Sequence, residues 1–317
     1  MKLVEFMPHV EPNRDPYARL GLLIGETVVE VGESERGSLL GWIQRGLPHI
    51  DELRALEASV SAGNTDAPLN GHPRRIFPLS GVKLLAPISR PPSLRDFYAF
   101  ESHVKAGNAI RGREIPLQWY EIPVFYFSNA GSILGPEDHV SAPRASQALD
   151  FELEVACVIG RAGRDIAPGD AENHILGYTI FNDWSARDLQ RQEVAVGLGP
   201  AKAKDFASSL GPWLVTPDEL ADRYAGRPGV YNLSMVARVN GVERSRGNWA
   251  DLHFSFGDML ARASADVMLQ PGDVIGSGTV GTGCLLELTM GQGPWLQSGD
   301  TVELEIERLG VLRNTVY

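Results

Sequence analysis

Hydrophobic positions along this 317-residue chain follow one pattern near the amino end and another beyond it. Within residues 17–31, the apolar runs 20–24 and 28–31 are joined by Gly25-Glu26, which predicts a small hairpin. Residues 39–45 and 51–60 carry apolar side chains at helical spacing and predict two short helices separated by Pro48. Residues 61–68 are polar and small, so a loop or linker is expected there, with a domain boundary near 65–85. From Val82 onward, short apolar runs are broken by Gly and Pro, which favours an antiparallel, β-rich body over repeated βαβ units. The alternating run 232–239 leads into Asn240-Gly241, residues suited to the positive φ values of a type I′ hairpin turn. Late strands are expected at 285–290 and 301–309. The second alternates Val302, Leu304 and Ile306 against Glu303, Glu305 and Glu307, the pattern of a half-exposed strand.

One acidic pattern stands out against this background. In Asp150-Phe151-Glu152-Leu153-Glu154, the two-residue period of a strand places all three carboxylates on one face, and Asp183 follows in Phe181-Asn182-Asp183-Trp184. By spacing alone, that face is either the solvated side of an edge strand or the wall of a cleft. In a cleft, the carboxylates would repel one another and resist desolvation unless a cation sat among them. All-oxygen donors favour Mg²⁺, Mn²⁺ or Ca²⁺ over zinc.

Two further segments carry chemistry. A helix opening after Pro91-Pro92-Ser93, with Ser93 as its N-cap, would put Asp96 and His103 two turns apart on one face. His103 is then either a base near a carboxylate or an ordinary surface or core histidine. After Asp183, a helix capped by Asp183 or Ser185 would bring Arg187 and Gln190 to one face, where they could bind an anion, with Lys204 as a third donor. A charged helix surface is the alternative. Gly276-Ser277-Gly278-Thr279-Val280-Gly281 matches the dinucleotide fingerprint in letters only, because a strand rather than a helix is expected after it.

Composition narrows the function class. The net charge of −11 argues against nucleic acid or an anionic membrane as partner. No apolar run approaches the ~20 residues of a membrane-spanning helix, and Met1-Lys2-Leu3-Val4-Glu5 lacks a signal-peptide core, so a cytoplasmic location is expected. Cys157 and Cys284 both sit in apolar runs, which fits buried thiols and excludes a disulfide framework or a Cys-rich zinc site.

In order, Asp96-Phe97-Tyr98 with His103, Asp150-Phe151-Glu152-Leu153-Glu154, Asn182-Asp183-Trp184-Ser185-Ala186-Arg187-Asp188-Leu189-Gln190, Gly278-Thr279 and Glu287 resemble the fumarylacetoacetate hydrolase family. The resemblance covers roughly residues 82–310. It implies an α+β, β-rich fold: a mixed β-sandwich roll, residues 76–317, preceded by a small N-terminal α/β domain, residues 1–75. It implies a divalent metal, Mg²⁺ first with Ca²⁺ or Mn²⁺ as alternatives, held by Asp96, Glu152, Glu154 and Asp183. By the same resemblance, His103 oriented by Glu287 activates water, and Arg187, Gln190 and Lys204 surround the developing oxyanion. Tyr98, Arg111, Tyr126 and Thr279 match substrate contacts. Val194, after Glu193, departs from the tyrosine of fumarylacetoacetases. The implied activity is hydrolysis of a carbon–carbon bond in a small β-diketo acid by a homodimer. The alternative is a 2-oxo-acid isomerase, hydratase or decarboxylase of the same superfamily.

Overall fold

In the computed structural model, which describes residues 1–9, 18–31, 37–47, 50–64 and 74–317, the longest apolar runs form the centre of the main sheet. Every residue of the strands Leu153–Ile159 and Ile175–Asn182 is buried, as expected for strands covered on both faces. Their alternate side chains enter different cores. Val155, Cys157 and Ile159 join one cluster with Met235, Ala237, Leu304 and Ile306. Ala156 and Val158 join a second with Leu39, Trp42, Ile43, Leu53 and Leu56. The result is a β-rich α+β fold in three layers. Among the described residues, a twelve-stranded sheet lies between a five-stranded sheet on one side and the helices Leu39–Gln44 and Ile50–Ser61 on the other.

Several expected elements are present. The strands Arg19–Ile24 and Thr27–Glu30 form the first hairpin. Strand Ser234–Val239 turns into Val242–Asn248 through Asn240 at φ 53° and Gly241 at φ 74°. Thr301–Ile306 alternates buried and half-buried positions. Pro48 and residues 65–68 of the expected linker lie outside the described residues. The N-terminal strand Lys2–Pro8 pairs with Ser208–Val215, so the first residues extend the main sheet. No described helix is long and apolar enough to cross a membrane.

Three local expectations are corrected. Leu94–Phe97 is a fully buried strand in parallel register with Val274–Gly276, and the helix starts later, at Glu101–Ile110 behind Phe100. Ser93 is therefore no cap; its hydroxyl donates to Asp273 (2.7 Å). Residues 285–290 do not form a strand: Leu285–Leu288 is a short helix whose Leu285 and Leu286 N–H groups donate to Asp150 (2.7 and 2.9 Å). That distant carboxylate does the work of an N-cap, which no local pattern announces. The helix Arg187–Ala195 has Ala186 at its cap, because Ser185–Ala186 is committed to pairing with Leu149–Asp150.

Glu5 supplies a stability prediction. It lies in the Lys2–Pro8 strand, 1% exposed, and accepts a hydrogen bond from the Leu39 N–H (2.7 Å) at the start of a helix. Burial, opposed by the Leu39 and Leu40 N–H groups, pushes its carboxyl up to about 7. Below the ordinary carboxyl range both folded and unfolded chains hold the proton and no penalty exists. As pH rises toward 7 the unfolded chain ionises first, so the fold loses stability, by roughly 3 kcal/mol at the upper limit. Glu5→Gln is expected to raise the melting temperature at pH 8 and leave it nearly unchanged at pH 4.5. An equal shift at both pH values in thermal unfolding would contradict this.

Candidate active site

The site forms where five strands end together. Asp96 in Leu94–Phe97 lies beside Gly276 of one neighbouring strand and Tyr126 of the other. Gly276 lies in turn beside Ala156 of Leu153–Ile159. Across the next ladder, Leu153 and Glu154 pair with Asn182 and Phe181, leaving Asp183 just past its strand. Crowding explains the glycines. A Cβ on Gly276 would meet Asp96 Oδ1 at 2.5 Å, and Gly278, at φ +79°, would press one to 2.6 Å from the Phe97 carbonyl. This loop brings the backbone close to carboxylates rather than to a dinucleotide. The Gly278 N–H donates to Glu154 Oε2 (2.9 Å) and Asp96 Oδ1 (3.2 Å), and the Thr279 hydroxyl to Glu154 Oε1 (3.2 Å).

A cleft of about 330 Å³ opens over this point. Asp96, Tyr98, His103, Arg111, Tyr126, Glu152, Glu154, Arg187, Gln190, Lys204 and Thr279 all line it, as does Val194. Asp183 lies behind, accepting from both Tyr126 and Lys204, while Glu287 sits behind His103. Asp96 and His103 therefore line one cleft, but from a strand and a following helix rather than from one helix face.

The acidic face is buried, which removes the solvated-strand alternative: Asp150 and Glu154 are 0% exposed and Glu152 is 3%. Oxygens of Asp96, Glu152 and Glu154 lie within 4.8 Å of one another. Burial would raise the Glu152 carboxyl, but the Lys204 ammonium and Arg187 guanidinium reverse this and hold it well below the usual range. Glu154 accepts from Gly278 and Thr279 rather than from a cation, and burial followed by the charges of Asp96, Glu152 and Asp183 pushes it well up. Burial is likewise the main cause that raises Asp96 and takes Asp183 to about 7. The cluster is thus asymmetric. Glu152 is held toward its ionised form, whereas Asp96, Glu154 and Asp183 are pushed toward their protonated forms, a shift that a cation among them would oppose.

Arg187 and Gln190 are joined to each other rather than arranged around a free anion. Nη1 donates to Gln190 (3.0 Å), Nε to Asp150 (2.8 Å) and Nη2 to Glu152 (2.8 Å). Lys204 donates to Glu152 and Asp183, and with three protons it keeps one for another acceptor. His103 Nδ1 and Glu287 Oε1 stand 2.5 Å apart, and Tyr98 meets the imidazole edge-on at 5.3 Å between centroids. Asp150 is the residue whose role sequence reasoning missed. It carries the acidic alternation backward, but it turns to Arg187 and to the short helix bearing Glu287, outside the cleft lining. Its place at the head of an alternating acidic triplet was the available signal.

Whether these residues suit a divalent cation is decided by their donors. Asp183 Oδ1 is buried without a hydrogen-bond partner, a costly state for a carboxylate oxygen. Asp96, Glu152 and Glu154 converge within 4.8 Å, Lys204 links Glu152 to Asp183, and all these donors are oxygen, so the set fits a hard divalent ion. Because protons compete for these oxygens, Mg²⁺ affinity is expected to rise as pH increases from 6 to 8, with proton release on binding. Calorimetric titrations giving equal affinity at both pH values would refute it.

Comparison with known proteins follows the same lines. The family model described as fumarylacetoacetate (FAA) hydrolase C-terminal matches residues 93–317. A mitochondrial oxaloacetate tautomerase of Homo sapiens is 36% identical over 243 residues, covering 76% of this chain and 71% of that protein. A 2,4-didehydro-3-deoxy-L-rhamnonate hydrolase of Sphingomonas is 31% identical over 268 residues, covering 83% of this chain and 84% of the other. Among solved structures, a fumarylacetoacetate hydrolase of Exiguobacterium antarcticum superposes with a TM-score of 0.73 at 29% identity, covering 100% of this chain and 99% of the other.

Proposed function

The chain belongs to the fumarylacetoacetate hydrolase family, and from that premise we propose that it is a divalent-metal-dependent hydrolase cleaving a carbon–carbon bond in a β-diketo acid of the fumarylacetoacetate or acylpyruvate type. The observation that carries the reading is the 2.5 Å contact of His103 with Glu287 at the cleft wall. A carboxylate holding Nδ1–H leaves Nε2 as an acceptor, the arrangement of a general base.

Asp96, Glu152, Glu154 and Asp183 would hold the ion, Mg²⁺ first among the candidates. When bound, it supplies Lewis-acid polarisation of neighbouring substrate oxygens and favours the enolate left by cleavage. His103 takes a proton from water at Nε2, and the resulting hydroxide adds to a carbonyl carbon. Lys204 offers its third proton to the oxyanion, with Gln190 and Arg187 beside it, a contribution of about 3–4 kcal/mol for one well-placed donor. The carbon–carbon bond then breaks, and His103 returns its proton to the leaving carbon. Tyr98, Arg111, Tyr126 and Thr279 position the substrate. The proposal includes a homodimer and a division into residues 1–75 and 76–317. Every residue lining the cleft belongs to the second part, beginning at Asp96.

One finding favours a second reading. The 36% identical relative is named a tautomerase, and the same base could move a proton between carbon and oxygen of a 2-oxo acid without cleavage. Turnover of acylpyruvates, fumarylacetoacetate and oxaloacetate, with and without Mg²⁺, separates the two. Loss of diketone absorbance with stoichiometric pyruvate from an acylpyruvate supports hydrolysis. Faster oxaloacetate enol–keto exchange with every diketo acid intact would overturn it.

A further inference from the structure

We propose that a second cation site, selective for a thiophilic ion such as Zn²⁺, is built from His103, Cys284 and Glu287. Each residue presents one ligand atom within 4.8 Å of the other two. Cys284 Sγ lies 3.6 Å from Glu287 Oε1, and His103 Nδ1 lies 2.5 Å from the same oxygen. Zinc bonds of about 2.3 Å to sulfur and about 2.0 Å to oxygen, meeting near the tetrahedral angle, separate those atoms by about 3.5 Å. The sulfur–oxygen pair is therefore already in place. The nitrogen–oxygen pair must widen to about 3.3 Å, the separation expected once an ion replaces the shared proton.

The donor chemistry distinguishes this site from the carboxylate cluster. One sulfur, one nitrogen and one oxygen select Zn²⁺ over Mg²⁺, whereas four carboxylates favour the harder ion. Of the three, His103 lines the cleft, while Cys284 and Glu287 lie behind it, so the imidazole separates the other two from the substrate side. Protons balance as follows. The ring proton passes from Nδ1 to Nε2 by exchange with solvent, which frees Nδ1 to bind the ion, and the thiol proton leaves to solvent. One proton is released for each ion bound. With Nε2 protonated the imidazole has no lone pair for water, so the bound ion blocks the base. Only that inhibitory consequence rests on the function proposed above.

Cobalt(II) tests the site without any assay of turnover. Added to protein saturated with Mg²⁺, Co²⁺ is expected to produce thiolate-to-cobalt charge-transfer absorption that one equivalent of Zn²⁺ abolishes. Cobalt in the carboxylate cluster cannot give that band, having no sulfur ligand. The chain contains only Cys157 and Cys284, so Cys284→Ala should lose the band and Cys157→Ala should keep it. X-ray absorption of Zn²⁺ on the unsubstituted protein needs no variant to fold, and one sulfur in the zinc shell is expected. Absence of the band, its survival in Cys284→Ala, or a zinc shell without sulfur would each overturn the assignment.

Discussion

His103→Ala is expected to lower cleavage of diketo acids by about 10²- to 10⁴-fold, the usual worth of a positioned general base. Mg²⁺ binding should survive, because His103 is bound to Glu287 and makes no hydrogen bond to the carboxylate cluster. Alanine deletes the imidazole that Glu287 holds at the cleft wall, with its other ring nitrogen left as an acceptor. Its loss also leaves the nearly buried Glu287, whose side chain is 5% exposed, with the Thr282 N–H and Cys284 as partners, so some loss of stability is expected as well. Steady-state kinetics with a parallel Mg²⁺ titration checks both halves. Normal turnover in the variant would remove His103 from its assigned role.

The second large effect is expected at Glu152. Glu152→Ala should abolish activity through loss of the ion and should also destabilise the metal-free fold. Glu152 is the carboxylate held firmly ionised by Lys204 and Arg187, both nearly buried. Removing it leaves those cations with Asp183, Asp150 and Gln190 as their remaining acceptors. Relief of repulsion on Glu154, whose carboxyl burial and the neighbouring charges push up, acts in the opposite direction. Breaking a buried pair from one side costs about 3–5 kcal/mol, and the surviving partners place this variant near the lower value. Urea unfolding measures the loss, and calorimetry measures the ion. Unchanged Mg²⁺ affinity would remove Glu152 from the metal site.

The two residues differ in how far they could be read from sequence. The expected single strand is broken at residues 151–152, between Leu149–Asp150 and Leu153–Ile159, yet Glu152 was legible because the alternation persists through the break: Phe151, Leu153 and Val155 enter one core, and Glu152 and Glu154 line the cleft. His103 was associated with Asp96 through helical spacing, and the structure brings them together by other means. Parallel pairing with Val274–Gly276 holds Asp96 on a strand, and the chain turns into a helix before His103. Residues 285–290 misled for a related reason. A short apolar run suits a strand or a helix equally, and the deciding hydrogen bonds are accepted by Asp150, 135 residues before Leu285.

The sequence by itself determined the alternating acidic face, the Asn240-Gly241 turn, the half-exposed late strand and the order of motifs that marks the family. These depend on neighbours along the chain, where backbone periodicity and turn chemistry act directly. Tertiary structure alone decided that Asp150 caps the helix bearing Glu287 and that Lys204 bridges Glu152 and Asp183. It also decided that Cys284 stands beside the dyad. Glu287 is 184 positions from His103, and only the closing of the strands between them brings the two within hydrogen-bonding distance. Contacts of that kind depend on which distant strands pair and in what register, and no local periodicity encodes the distance between two side chains on different elements.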